Sequence, residues 1–121
     1  MSLAIMLAVG VIGGLGALAR FTLDGFVAGR AGRSFPYGTL AVNLTGAVIL
    51  GALAGAALDA DAFRIAGTGL MGSFTTFSTW MLETHRLGED DQARGGMANL
   101  FVSLALGIAA VWIGRELGAA L

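Results

Sequence analysis

Long uncharged runs separated by short charged segments dominate this chain. Four runs lack Asp, Glu, Lys and Arg and come close to the roughly 20 apolar residues that a membrane-spanning helix needs: Leu3–Ala19, Tyr37–Leu58, Ile65–Leu82 and Gly95–Gly114. Because the connections between the runs are short, neighbouring helices are predicted to run antiparallel. The pattern predicts an all-α membrane protein of one domain, residues 1–121, with four transmembrane helices over about 3–23, 37–58, 65–84 and 95–115.

Composition favours a membrane protein over a soluble one. Hydrophobic residues make up 56% of the chain and charged residues 12%, about half the charged fraction of a typical soluble domain. The 20 glycines include two GxxxG spacings, Gly10–Gly14 and Gly51–Gly55, which let helix backbones approach closely in lipid. The first run lacks a basic leader and a small-residue cleavage site, so we expect it to be retained and not removed as a signal peptide.

Charge excludes some classes of function and leaves the membrane orientation open. The formal net charge is -1, which gives no reason to expect a nucleic-acid partner, and the absence of cysteine excludes disulfides and thiolate chemistry. The positive-inside rule gives only a small bias, because four loop arginines lie on one side and two on the other: Arg30, Arg33, Arg86 and Arg94 against Arg64 and Arg115. We therefore expect insertion in both orientations and an antiparallel dimer as the smallest assembly that encloses a pore.

The third run combines the length of a membrane span with unusual polarity. Its segment GSFTTFSTW, from Gly72 to Trp80, holds five hydroxyl side chains and three aromatic rings. Lipid offers no hydrogen-bond partner, so irregular backbone at membrane depth survives only where it is buried in protein, lines a cavity or holds an ion. The sequence therefore predicts a break in the third helix at a permeation site.

Polar side chains in the second and fourth runs recur at helical spacing. Thr39 and Asn43 lie one turn apart, and the Asn43 amide is either an interhelical hydrogen-bond partner or an N–H donor to a passing anion. Asn99, Ser103 and Gly107 form a polar and small stripe, which suits either a subunit interface or the wall of an ion track. Both faces are candidates for the lining of a pore.

Aromatic rings and one arginine complete the set of candidate residues. Phe77 and Trp80 share a helix face, with Ser78 and Thr79 beside them. Such pairs commonly only pack together, but aromatic rings carry a positive edge that can receive a partly dehydrated anion. Weak donors suit conduction, because a fixed cation would trap the ion. Arg20, near the end of the first predicted helix, either reaches the membrane interface or raises the anion concentration in a vestibule.

Two other classes of membrane protein fit the pattern less well. A proton-coupled small multidrug exporter also has four short spans, but it needs a membrane-embedded carboxylate, whereas residues 3–19 contain none and Glu83 falls at the edge of a run. A structural membrane subunit would leave the hydroxyl groups of the third run unexplained. An enzyme is not expected, because one histidine, no cysteine and carboxylates confined to loops do not assemble a catalytic site.

Three blocks of sequence, taken in order, resemble the signature of the CrcB/Fluc family of fluoride channels. They are GGLGALARF from Gly13, GTLAVNLTG from Gly38 and GSFTTFSTW from Gly72, and the likeness extends over all four predicted spans. The resemblance implies a passive channel selective for the fluoride ion in the cytoplasmic (inner) membrane. It further implies an antiparallel, dual-topology homodimer with two pores and a central structural sodium ion.

The resemblance also implies roles for single residues. It places fluoride contacts at Asn43, Phe77 and Trp80, a polar track at Asn99 and Ser103, a vestibule arginine at Arg20, and sodium-binding backbone carbonyls at Gly72 and Thr75. Our hypothesis for selectivity adds Ser78 or Thr79 as a further weak donor. Trp80 stands where the family has a second phenylalanine, so the pore width is the property that this chain is most expected to change.

Overall fold

A computed structural model describes residues 1–121, and the chain contains helices and their connections with no strand, which confirms the predicted all-α class. The first helix, α1, spans Leu3–Ala31, and the Ser2 hydroxyl caps it by accepting the Ile5 N–H at 3.2 Å. It ends at Gly32, whose φ of 84° favours glycine. The helix continues beyond the predicted span of about 3–23, because charge at Arg20 and Asp24 interrupts the uncharged run but not the backbone hydrogen bonds of the helix.

The second helix, α2, spans Tyr37–Gly55 and follows Pro36, a residue that is tolerated at a helix start because its missing N–H has no partner there. It ends three residues before the predicted limit at 58, where Ala57 takes a positive φ of 54°. The last helix, α6, spans Ala93–Ala119 and extends a few residues beyond both predicted ends.

The segment between α2 and α6 is divided. It contains α3 (Ala60–Phe63), a π-helical segment (Arg64–Met71), α4 (Gly72–Phe74) and α5 (Ser78–Glu89). Gly72 itself is helical, and the helical geometry stops at Thr75, whose ψ of 160° is extended. Residues 75–77 therefore connect two helical halves without belonging to either.

Three helices, α1, α2 and α6, are long and apolar enough to cross a membrane. The divided segment has no single helix of that length, because π-helical turns and the residues 75–77 interrupt it. Only 17 of 121 residues are buried, and most large apolar side chains outside the helix contacts are exposed. The outer surface of the chain is therefore apolar, as is typical of a protein surrounded by lipid. The chain is a multi-pass membrane protein.

Glycine lets α2 and α6 pack backbone to backbone. A Cβ atom on Gly51 or Gly55 would collide with the backbone of α6 at Val111 and Arg115, and one on Gly114 would collide with α2 at Val48. The GxxxG spacing of Gly51–Gly55 thus serves helix packing, as predicted. Gly10 and Gly14 differ, because a Cβ atom on either would meet nothing within 4 Å. Their predicted packing role is not met inside this chain.

Candidate functional site

The Asn43 side chain makes two hydrogen bonds to the backbone of residues 75–77, the interruption of the divided segment. Its Nδ2 donates to the Thr76 carbonyl at 2.8 Å, and its Oδ1 accepts the Thr76 N–H at 2.8 Å. Because an amide N–H only donates and a carbonyl only accepts, these two bonds fix which way the carboxamide faces. The second hydrogen on Nδ2 takes no part in these two bonds to Thr76. Asn43 therefore presents one N–H donor in a fixed direction.

Two backbone carbonyls in the same region lose the amide N–H groups that would bond to them in a continuous helix. In a continuous helix the Thr76 N–H would bond to the Gly72 carbonyl, but it bonds to Asn43 instead. The Thr79 N–H, which would bond to the Thr75 carbonyl, goes to Thr76 Oγ1 at 3.2 Å. The carbonyls of Gly72 and Thr75 thus each lose their helical partner. They are the two carbonyls that the family resemblance assigned to sodium.

An open groove of about 590 Å³ runs beside the interruption, between the divided segment, α2 and α6. It brings together four of the predicted pore residues: Asn43, Phe77, Trp80 and Ser103. The rest of its wall is mainly apolar, from Ala47 and from a stripe of α6 that ends at Trp112 and Arg115. The groove therefore combines a mainly apolar wall with a few polar side chains, and Arg115 lies at one end of its α6 wall.

A smaller and more polar pocket of about 200 Å³ lies between α1, α2 and the interruption. Its wall contains Arg20, Asp24, Thr39 and Thr79. The sequence analysis placed Arg20 near the end of the first helix. In the structure Arg20 lies within α1, which continues to residue 31. The Arg20 Nε atom is buried without a hydrogen-bond partner. Thr76 lines both this pocket and the larger groove, so the two spaces meet at the residue that Asn43 holds.

The aromatic pair is arranged edge to face. The ring centroids of Phe77 and Trp80 are 5.7 Å apart, and their planes cross at 86°. Phe77 is 69% exposed, whereas Trp80 is half-buried, and both rings border the groove. In such a pair the positive edge of one ring lies against the negative face of the other, so the two rings stabilise each other's orientation.

Two predicted pore residues lie outside both spaces. Ser78 is exposed at the start of α5, and its hydroxyl is 3.4 Å from that of Thr76. Asn99 is only 1% exposed and is enclosed between α5 and α6. Its amide donates to the Trp80 carbonyl at 3.3 Å and to Thr84 Oγ1 at 2.8 Å, and its Oδ1 accepts from Ser103 at 3.3 Å.

Residues that the sequence did not single out complete this region. Thr76 was part of the hydroxyl-rich segment, but its backbone and not its hydroxyl binds Asn43. Glu83 lies within α5 and accepts a hydrogen bond from the buried Thr39. The spacing of Thr39 and Asn43 predicted only that they lie one turn apart on α2, and the structure shows that both bond to the divided segment. Thr84 joins Asn99 and had no signal of its own.

The sequence is similar to those of known proteins over nearly its whole length. The family model described as "CrcB-like protein, Camphor Resistance (CrcB)" matches residues 7–115. The "Fluoride-specific ion channel FluC 2" of Mycobacterium tuberculosis is 56% identical over 95% of this chain and 91% of the relative. "Fluoride-specific ion channel FluC 1" of Symbiobacterium thermophilum is 40% identical over 91% of this chain and 94% of the relative. This chain therefore belongs to the CrcB/Fluc family.

Proposed function

We propose that the protein is a fluoride-selective channel that lowers cytoplasmic fluoride by passive efflux. The carrying observation is the Asn43 carboxamide, which two bonds to Thr76 fix in place beside the groove with one N–H left to donate. The relatives named fluoride-specific ion channels, at up to 56% identity over nearly the whole chain, support the same function. The protein performs no chemical catalysis in this proposal.

Selectivity follows from a narrow passage that replaces water with weak donors. A small halide that enters the groove leaves most of its hydration shell and meets the Asn43 N–H and the edge of Phe77. The Ser103 hydroxyl also borders the groove, but it donates to Asn99 Oδ1 and would have to turn away from it to donate to the ion. Fluoride is the halide best suited to this exchange, because it is the smallest and the strongest hydrogen-bond acceptor. Thr79 and Arg20 belong to the polar pocket, which we assign as the vestibule.

The functional unit in this proposal is an antiparallel homodimer in the inner membrane. The groove is open on one side, so a single chain cannot enclose an ion in it. A two-fold axis in the membrane plane would bring the same surface of a second chain against it and create two equivalent pores. The small arginine bias supports insertion in both orientations, which such a dimer requires.

A structural sodium ion fits the interruption of the divided segment. Gly72 and Thr75 have carbonyls that lose their helical amide partners, and unwound carbonyls of this kind are ligands for Na⁺ in other transport proteins. When bound, the ion would supply positive charge that holds the interrupted backbone of the subunits together. Those two carbonyls are the ligands that this chain would contribute.

Ion release from liposomes tests the proposed function. Purified protein should release fluoride much faster than chloride, and it should do so without a proton gradient. Asn43→Asp should reduce fluoride release about tenfold or more, because the carboxylate loses both N–H groups, repels the anion and faces the Thr76 carbonyl. Thr45→Val is the matched control, since Thr45 is exposed on the same helix and makes no side-chain hydrogen bond. Equal release of both halides by the native protein would refute the proposal.

Replacement of sodium tests the ion site separately. Exchange of Na⁺ for a bulky organic cation on both sides of the membrane should lower fluoride release and destabilise the dimer, whereas Na⁺ added back should restore both. The measurements are halide release and the dimer fraction in detergent. Fluoride release that is independent of sodium would remove the ion from the proposal and leave the channel function standing.

The same liposomes separate the channel from a proton-coupled exporter. Glu83 is half-buried within α5, so a carboxylate is present in the helical part of the molecule. Thr39 already binds it, and an exporter would need it free to exchange a proton for a cationic drug. Uptake of a cationic dye driven by a pH gradient would favour the exporter.

A further inference from the structure

Trp80 is held at both of its polar ends. Its indole Nε1–H donates to the Asn99 backbone carbonyl at 2.8 Å. Its own backbone carbonyl accepts from the Asn99 amide at 3.3 Å and from the Thr84 hydroxyl at 2.9 Å. The side chain and the backbone of one residue on α5 are therefore both fixed by one residue on α6.

Asn99 has no hydrogen-bonding group left for an ion. Both amide hydrogens have acceptors, Oδ1 has the Ser103 hydroxyl as a donor, and the side chain is 1% exposed. The indole N–H is likewise committed, so Trp80 offers only its ring to the groove. The assignment of Asn99 as a pore contact needs a different physical role.

We propose that Asn99 and Thr84 are positioning residues for the Trp80 ring and that, through it, they set the selectivity of the groove. This inference rests on the proposed fluoride channel and deepens it. The brace formed by Trp80, Thr84 and Asn99 joins α5 to α6 and fixes the indole at a right angle to Phe77. A fixed large ring keeps the passage narrow. A ring free to change rotamer would open the same space to larger anions.

Two substitutions release the brace: Thr84→Val is nearly isosteric, and Asn99→Leu keeps the branching of the side chain but enlarges it. Asn99→Leu removes all three side-chain hydrogen bonds and leaves the backbone carbonyl, and Thr84→Val removes only the hydroxyl. Thr45→Val is the matched control for Thr84→Val, because it deletes the same hydroxyl from an exposed site without a hydrogen-bond partner. If Asn99→Leu does not fold, Thr84→Val and Trp80→Phe carry the test.

The first readout is the ratio of fluoride to chloride release. Both brace variants should lower this ratio by about threefold or more, a size typical of coupling between residues in contact, and Thr45→Val should leave it unchanged. A purely structural role would reduce both rates together and keep the ratio. An unchanged ratio in both brace variants would overturn the proposal.

The second readout separates positioning from contact with the ion. If Asn99 acts through Trp80, Asn99→Leu combined with Trp80→Phe should change the ratio by less than the product of the two single effects. If Asn99 touches the ion itself, the two effects should multiply, and the positioning role would be refuted.

The third readout does not depend on ion flow. Trp80 and Trp112 are the only tryptophans, so a Trp112→Phe background makes fluorescence a report on the braced ring. Thr84→Val should lower the anisotropy of Trp80 through faster ring motion. If the native protein does not discriminate between halides, the proposed channel fails, whereas an anisotropy that does not change refutes the brace itself.

Discussion

Arg20 carries a charge in the middle of a long helix and has no partner for its Nε atom. Its side chain lines the polar pocket together with that of Asp24, and in the proposed channel its positive charge raises the local concentration of anions. We predict that Arg20→Gln lowers fluoride release by about threefold to tenfold at an ionic strength near 0.01 M and has a much smaller effect near 1 M, because salt screens the potential. Halide release at the two ionic strengths measures this difference.

Two controls bound the effect of Arg20. Arg20→Lys keeps the charge and should retain most of the release at low salt. Arg64→Gln removes a guanidinium that is already paired with Asp61 at 2.9 Å and should change little. A loss in Arg20→Gln that is equal at both ionic strengths would indicate a packing role for this side chain and not an electrostatic one.

For single residues, the sequence predicted which side chains would be important, but it did not predict their hydrogen-bond partners. Asn43 was predicted to donate or to hydrogen-bond another helix, and the structure gives it two bonds to Thr76 with one donor to spare. Trp80 was predicted to contact fluoride, yet its indole N–H is bonded to Asn99. Which acceptor bonds to a given donor depends on how α5 and α6 pack. No local sequence pattern encodes the distance between these two helices.

Among the helices, the contact of α2 with α6 depends on the absence of side chains. A Cβ atom on Gly51 would lie 3.0 Å from the Arg115 backbone nitrogen and closer still to the Val111 carbonyl oxygen. We predict that Gly51→Ala lowers the stability of the protein in detergent by about 1–3 kcal/mol, because the helices must separate or strain. The midpoint of thermal unfolding in detergent measures the change.

Gly10→Ala is the matched control for this prediction. It makes the same chemical change in a helix, but the added methyl group meets nothing within 4 Å. It should be neutral or stabilise slightly, by up to about 1 kcal/mol, because alanine favours helix more than glycine does. Equal destabilisation by both substitutions would show that helix propensity and not packing decides the result.

Helix ends were the least predictable property of the elements. Uncharged runs located the cores of the long helices, yet α1 extends to residue 31 because a charged side chain beside a polar pocket does not break a helix. The π-helical turns of Arg64–Met71 left no recognisable pattern in the sequence. The interruption lies at Thr75–Phe77, where side-chain and hydroxyl acceptors replace helical carbonyls, and not at the helical Gly72.

For the molecule as a whole, one chain brings several of the predicted pore residues together in a groove that remains open on one side. The groove brings Asn43, Phe77, Trp80 and Ser103 together on one face, and Thr76 lines both the groove and the polar pocket. The blocks at Gly38 and Gly72 carry Asn43, Phe77 and Trp80, whereas Ser103 and the α6 wall of the groove lie outside all three blocks. In the proposed dimer, the surface that covers the groove depends on how a second chain is oriented, which the pattern of one chain does not encode.

Membrane orientation is the property on which the antiparallel dimer depends. The chain has no cysteine, so single cysteines can be introduced at Ser34, in the connection between α1 and α2, and at Ala120, beyond the end of α6. The two sites should lie on opposite sides of the membrane in any one molecule. Because the arginine bias is small, we predict that a membrane-impermeant thiol reagent labels about half of the protein at each site in intact cells.

The outcome discriminates between assemblies, because a single orientation cannot build a two-fold axis in the membrane plane. Complete labelling at one site with none at the other would contradict the dual-topology dimer while leaving the fold intact. An added arginine at Ser34 provides the corresponding perturbation, since one more positive charge on the side with more arginines should shift the population towards one orientation. Fluoride release should then fall in proportion to the loss of the minor orientation, because each dimer needs one chain of each kind.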